Sequence, residues 1–459
     1  MTELEDLLVG AAGTAAAYRA SLSDRPVRAS RALDEIRRSL DGAMADGARP
    51  ARDVVDQLVA AVEDGLVATA GPRFFGFVIG GALDAASAAD VLATGWDQCA
   101  FNRVLSPAAA AAEEVAGTWL KDLLGLPVGA SVGFVTGGQA GNTVGLAAGR
   151  HRVLADVGWD VQADGLQGAP RVRVVAGAER HATIDRALRL LGLGDARVEP
   201  VAADANGAMA MADLARVLAQ SPSGPTIVCL QAGNVNTGAF DDLRTGCEIA
   251  RTHGAWVHVD GAFGLWAGAS PRLRHLVDGI ELADSWSCDG HKWLNVPYDS
   301  AFAFCAHPAA QATAVSYTAA YLVGSGEGTP AMADLTLESS RRARGFAVWA
   351  ALAQLGREGV AEMIDGSCAL ARRFAARLAA GGAEIANEVV LNQVLVGFGD
   401  DRRTDRIIEG VQRDGTCWLG GTTWRGRRLM RISVSNWSTT EDDVDRSADA
   451  ILRVAAATT

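Results

Sequence analysis

The stretch SWSCDGHKWLNVP, Ser285 to Pro297, holds one of the rarest residues of the chain. Of 42 Lys and Arg residues only two are Lys, Lys121 and Lys292. Both residue types serve for surface charge, but only Lys can lose its proton and attack a carbonyl carbon. The excess of Ala, Gly and Arg also has a compositional reading, genome bias, which accounts for part of this scarcity. Lys292 stands between His291 and Trp293, and a lysine between aromatic groups is partly desolvated, which frees the amine. Upstream, HVDGAFG places Asp260 directly after an apolar run. A carboxylate there costs desolvation unless it meets a positive partner, and a protonated pyridine nitrogen is one. His181 follows RVRVVAG in AERHAT; an imidazole in that place can stack on a flat ring and donate hydrogen bonds. TGGQAGN, Thr136 to Asn142, joins a strand pattern to a helix pattern. Its glycines let the backbone approach an anion, and a helix start offers free N–H groups.

Singly, each feature has an ordinary reading: a turn, a helix-start histidine, a strand-end aspartate, a structural lysine. Together they are the parts needed to hold pyridoxal 5′-phosphate (PLP), in the order used by fold type I enzymes.

These residues must be carried by strands. SVGFVTGG, RVRVVAG, PTIVCLQAG, AWVHVDGAFG and SAFAFCA read as short buried strands, separated by helices such as GNTVGLAAGRHRVLADVG, ATIDRALRLLGLG and FDDLRTGCEIARTHG. That alternation predicts a mostly parallel sheet covered on both faces, with ligands beyond the carboxyl ends of the strands. Residues 1–70 read as helical and too thin to fold alone, packing on the main body or on a second subunit. Residues 71–345 form the large cofactor domain. Residues 346–459, with NQVLVGFGD and RLMRISVSNW as strands and EDDVDRSADAILRVAA as a closing helix, form a small α/β domain. YLVGSGEGTPAMADLT reads as an exposed loop.

Bulk properties narrow the function. A chain of 459 residues suits a large domain plus a smaller one. Net charge of −12 favours neither nucleic acid nor an anionic membrane. Seven scattered Cys form no CxxC pair, which argues against a disulfide framework and suits a reducing cytoplasm. The acidic start MTELEDLLVG lacks the pattern of a signal peptide, and no apolar run is long enough to span a membrane.

With these motifs in hand, the sequence resembles the PLP-dependent group II amino-acid decarboxylases, which include aromatic amino acid, glutamate and tyrosine decarboxylases. The resemblance covers most of the chain. PRFFGF resembles the family's substrate-side segment, and SPAAAAAEEVAGTWLKDLLGLP the helix before the cofactor domain. HVDGAFG resembles its HVDAA stretch, and ADSWSCDGHKWLNVPYD its ADS…HKW stretch. The resemblance implies that Lys292 is the Schiff-base lysine, that Asp260 pairs with the pyridine nitrogen and that His181 stacks on the ring. Ala262 is implied to pack on the opposite face. Gly138 and Gln139 fall at the family's phosphate contacts, and His291 lies in its phosphate region. Val235 occupies a position where relatives often carry a hydroxyl residue; Asn234 or Asn236 is the expected substitute.

One departure bears on chemistry. The family's decarboxylases usually carry a proton-donating Tyr on a mobile loop. Ungapped alignment puts Met332 there, and Met cannot donate a proton. Tyr317, Tyr321 or His181 are the candidates to replace it. The expected protein is a cytoplasmic homodimer decarboxylating an L-amino acid. The uncharged FFGFVIGG favours a neutral or aromatic substrate, though these residues equally suit a dimer core; Arg431 is a candidate carboxylate ligand or a structural Arg. Two alternatives stand. One is other PLP chemistry: aldehyde-forming lyase, oxidative decarboxylation-deamination or transamination. The other is a non-catalytic binding protein that retains the fold.

Overall fold

The structure, a computed structural model, describes residues 2–220, 224–317 and 330–458. It divides into two compact units, residues 82–371 with 387–393, and residues 1–81 with 372–386 and 394–459.

The larger unit is built on a seven-stranded sheet: β1 (Ser131–Val135), β2 (Arg173–Gly177), β3 (Glu199–Val201), β4 (Thr226–Gln231), β5 (Trp256–Asp260), β6 (Ser285–Asp289) and β7 (Ala301–Cys305). Their order is β1-β7-β6-β5-β4-β2-β3. The β2, β3, β4, β5 and β6 pairings are parallel, and β7 runs antiparallel to both β1 and β6. All five residues of β5, β6 and β7 are buried, the pattern of a sheet covered on both faces.

The five strands expected from apolar runs are β1, β2, β4, β5 and β7. β6 has no apolar run to betray it, because its sequence SWSCD alternates polar and apolar residues. It is buried nonetheless, since its polar side chains find partners: the Ser285 hydroxyl meets His258 at 2.8 Å and Trp256 at 3.0 Å, and the Ser287 hydroxyl meets Asn142.

The helix Gly138–Ala155 lies directly on this sheet. A Cβ on Gly141 would fall 2.9 Å from the Ser287 Cβ, and one on Gly145 would fall 2.6 Å from the His258 ring. These glycines, four residues apart and so on one helix face, let the helix backbone approach β5 and β6 closely. The intervening Asn142 thereby comes within reach of strand side chains.

The second unit contains a four-stranded sheet of β8 (Glu384–Ile385), β9 (Gln393–Gly397), β10 (Gly420–Trp424) and β11 (Arg427–Ser433), ordered β10-β11-β9-β8. Helices Asp401–Asp414 and Glu441–Ala457 belong to the same unit. The N-terminal segment joins it through Arg73. This buried guanidinium donates to the carbonyls of Ser23, Arg25 and Thr416 and pairs with Asp443 at 3.3 Å. The expected N-terminal helicity resolves into Glu3–Ala20, Leu33–Leu40 and Ala51–Val62, with turns over much of residues 21–32. Glu3–Ala20 begins with a Thr2 capping box and buries none of its residues.

Candidate active site

Asp260 is the last residue of β5, and Asp289 the last of β6. Both line a cavity of about 190 Å³, which also takes in Gly138, Gln139, His181, Ala262, His291 and Lys292. Seven of the eight residues picked out from the sequence therefore share one cavity at the carboxyl ends of parallel strands, where this type of sheet binds ligands.

The eighth, Asn234, is not among the lining residues. It is buried, and its amide is engaged by protein groups: Nδ2 donates to the Glu179 carbonyl, in the segment after β2, and to Gln231 Oε1, while Oδ1 accepts from the Asn236 and Thr237 N–H groups of its own loop. Val235 lines the cavity instead.

Lys292 does not lean on an aromatic face for its environment. Its Nζ lies 2.8 Å from Asp289 Oδ2, and the Asp289 side chain is almost wholly buried. The second oxygen, Asp289 Oδ1, has no hydrogen-bond partner; His291 Nε2 is 3.6 Å away. Asp289 escaped the sequence reading because it stands in the polar strand β6. The spacing Asp289-x-x-Lys292 is the signal that was available.

Each imidazole is fixed by its partners. The Ser300 N–H donates to His291 Nδ1 at 3.1 Å, so the ring proton sits on Nε2, and burial pushes the pKa of His291 down. His181 Nδ1 accepts from the Thr183 hydroxyl at 2.9 Å and the Thr183 N–H at 3.3 Å, which likewise leaves the proton on Nε2. Asp260 accepts from Asn142 Nδ2 at 3.2 Å and from the Ala262 N–H at 3.3 Å. Asn142 and Thr183 were not singled out from the sequence, although Asn142 closes the TGGQAGN motif one helical turn after Gly138.

The donor set suits a phosphorylated pyridine carrying an aldehyde. Gly137 starts the helix Gly138–Ala155 without a side-chain cap, so its first N–H groups face no competing side-chain acceptor. A Cβ on Gly138 would come 2.9 Å from Asp289 Oδ2, so only glycine keeps that edge of the cavity open. A buried carboxylate with neutral donors, Asp260, awaits a cation, and the amine of Lys292 is the nucleophile for a carbonyl.

Met332 lies elsewhere. It is buried against Ala100, Ala109, Ala110 and Ala343 and lines a separate cavity with Glu113 and Lys121. In this chain it packs among alanines and is not a lining residue of the cavity that holds Lys292. Tyr317 is half exposed and is not a lining residue; Tyr321 lies outside the described residues. Lys121 is structural, donating to the carbonyls of Val128 and Ala130 at 2.7 and 2.9 Å.

Several known proteins are similar to this chain. Tryptophan decarboxylase 1 of Oryza sativa subsp. japonica is 29% identical over 86% of this chain and 82% of its own. 4-Hydroxyphenylacetaldehyde synthase of Rhodiola rosea is 26% identical over 83% of this chain and 80% of its own. The crystal structure of Oryza sativa TDC with PLP and tryptamine superposes with a TM-score of 0.91 at 24% identity, covering 99% of this chain and 98% of that one. The fold is that of the fold type I PLP decarboxylases. No described helix is long and apolar enough to cross a membrane. The Pyridoxal-dependent decarboxylase conserved domain matches residues 34–398, so the chain belongs to the pyridoxal-dependent decarboxylase family, a family of lyases, and PLP is its cofactor.

Proposed function

We propose that this enzyme decarboxylates a neutral or aromatic L-amino acid to the amine, with Lys292 holding the cofactor covalently. The convergence of Lys292, Asp260 and His181 on one cavity carries this reading. When bound, PLP supplies an electron sink for the pair left behind as a bond to the substrate α-carbon breaks. Asp260 would accept from the N–H of the pyridine ring and keep that nitrogen protonated, the main electrostatic contribution of the chain. His181, whose Nε2 carries its proton, would stack on the ring and offer that proton to the α-carbon. Ala262, small enough to let a ring approach, would pack opposite His181. Gly138, Gln139 and His291 Nε2–H would hold the phosphate. Lys292 would be the amine nucleophile that holds the cofactor at its carbonyl carbon.

The substrate class rests on the uncharged FFGFVIGG segment and on relatives named for tryptophan and tyrosine. A second reading, aldehyde formation, is favoured by the relatives named as aldehyde synthases, which match at similar identity. Incubation with a panel of amino acids, measuring CO2, amine, aldehyde and peroxide together, separates them. Equal amounts of CO2 and amine from an aromatic or neutral acid are expected. Aldehyde with peroxide supports the second reading, and no CO2 from any acid contradicts both.

A homodimer in the cytoplasm fits this enzyme. The helix Glu3–Ala20 exposes Leu4, Leu8 and Val9, and the larger unit exposes Leu92, Trp96 and Trp349 around an apolar groove; a second copy would cover such surfaces. All seven cysteines are free and six are buried, which suits a reducing compartment.

A further inference from the structure

A chain of hydrogen bonds behind the cavity has only one consistent direction. It begins at Trp256, whose indole N–H can only donate; it reaches the Ser285 hydroxyl oxygen at 3.0 Å. The Ser285 proton then points to His258 Nδ1 at 2.8 Å, the other acceptor, the Gly145 carbonyl, being 3.5 Å away. With Nδ1 accepting, His258 carries its proton on Nε2 and donates it to Asn142 Oδ1 at 3.0 Å. Full burial pushes the pKa of His258 down to about 4, so the ring stays neutral and the direction holds. The Ser287 hydroxyl donates to the same Asn142 oxygen. Asn142 Nδ2 must therefore face the other way. There it donates to Asp260 Oδ2 at 3.2 Å and to Thr183 Oγ1 at 3.0 Å. Thr183, having accepted, gives its own proton to His181 Nδ1. Asn142 is 1% exposed, and both its donors and both its acceptor sites are used.

We propose that Asn142, oriented by His258, Ser285 and Ser287, is a positioning residue that sets Asp260 and His181 together for the cofactor. One amide holds Asp260 as a pure acceptor and fixes the His181 tautomer. If the amide flipped, its oxygen would face Asp260 and repel the carboxylate. His258 never approaches the cofactor in this scheme; it acts through Asn142. The inference rests on the reading of Asp260 as the partner of the ring nitrogen.

The test compares affinities of the apoprotein for PLP and for 1-deaza-PLP, in which carbon replaces the ring nitrogen, by quenching of tryptophan fluorescence. Only PLP can engage Asp260, so the affinity ratio reports that contact, whereas general damage to the fold weakens both ligands alike. Wild type is expected to prefer PLP. Asn142→Leu should cut the ratio about tenfold, the loss expected for a buried acceptor left unsatisfied. His258→Leu should cut it to a smaller extent, and His258→Gln, whose amide N–H can replace Nε2–H, should restore it to within about threefold of wild type. Should Asn142→Leu fail to fold, the His258 pair decides alone. An unchanged ratio in His258→Leu, or equal ratios in His258→Leu and His258→Gln, overturns the proposal. A wild-type ratio of one overturns instead the reading of Asp260.

Discussion

Asp260 and Asp289 end neighbouring strands, β5 and β6, and line the same cavity, yet their charges are met in opposite ways. Asp289 pairs with a cation of the chain, the Lys292 ammonium at 2.8 Å. Among the described residues, Asp260 meets only neutral donors, the Asn142 amide and the Ala262 N–H. A buried carboxylate without a cation is costly, and a site that tolerates this cost is prepared for a ligand cation. With the roles proposed for Lys292 and Asp260, the pair Asp289–Lys292 would be undone when Lys292 engages a carbonyl, so that one aspartate would gain its partner on cofactor binding while the other would lose its own.

The largest effect is expected where both stories meet. Lys292→Ala should reduce turnover to below about 0.1% of wild type, since it removes the amine that would hold the cofactor covalently, and steady-state CO2 release measures it. Asp260→Asn comes next: the neutral amide cannot balance a ring cation, and kcat should fall about 10²–10³-fold. Its apoprotein should be no less stable than wild type to denaturant, because a buried charge has been removed. Asp289→Asn should behave in the reverse way. Loss of the carboxylate leaves the ammonium unpaired and lowers apoprotein stability by about 1–2 kcal/mol, less than for a fully buried pair because Lys292 stays 21% exposed. Its effect on kcat should be smaller than that of Asp260→Asn. If the two variants move stability and kcat in parallel, the contrast between the two aspartates fails. The smallest effect concerns Met332. Met332→Tyr overfills an alanine-lined pocket and should cost about 1–2 kcal/mol, without altering the amine-to-aldehyde ratio.

Much of this site was legible in the sequence because its reactive residues follow apolar strands. Asp260 and His181 each close such a run, and Lys292 stands out by its rarity. The rest was hidden for identifiable reasons. Asp289 and the serines of β6 sit in a strand whose polar alternation looks like surface until its partners on β5 and on the helix Gly138–Ala155 are known. Asn142 lay within a quoted motif, but its importance depends on Gly141 and Gly145 drawing the helix onto the sheet. Asn234 follows an apolar strand as Asp260 does, but its amide is engaged by the Glu179 carbonyl and by its own loop. Met332 comes from an ungapped alignment, which cannot reveal that the turn Met332–Leu335 buries its first side chain. Three further strands, β3, β8 and β10, lack apolar runs: the first two are three and two residues long, and the last reads GGTTW.

The central claim is that Lys292 holds the cofactor. Borohydride reduction of the PLP-loaded protein, followed by peptide mass mapping, tests it without ambiguity, because Lys121 is the only other lysine. The account predicts a yellow protein that bleaches on reduction and carries the phosphopyridoxyl group on Lys292. A label on Lys121, or a colourless protein that takes up no PLP, would contradict it.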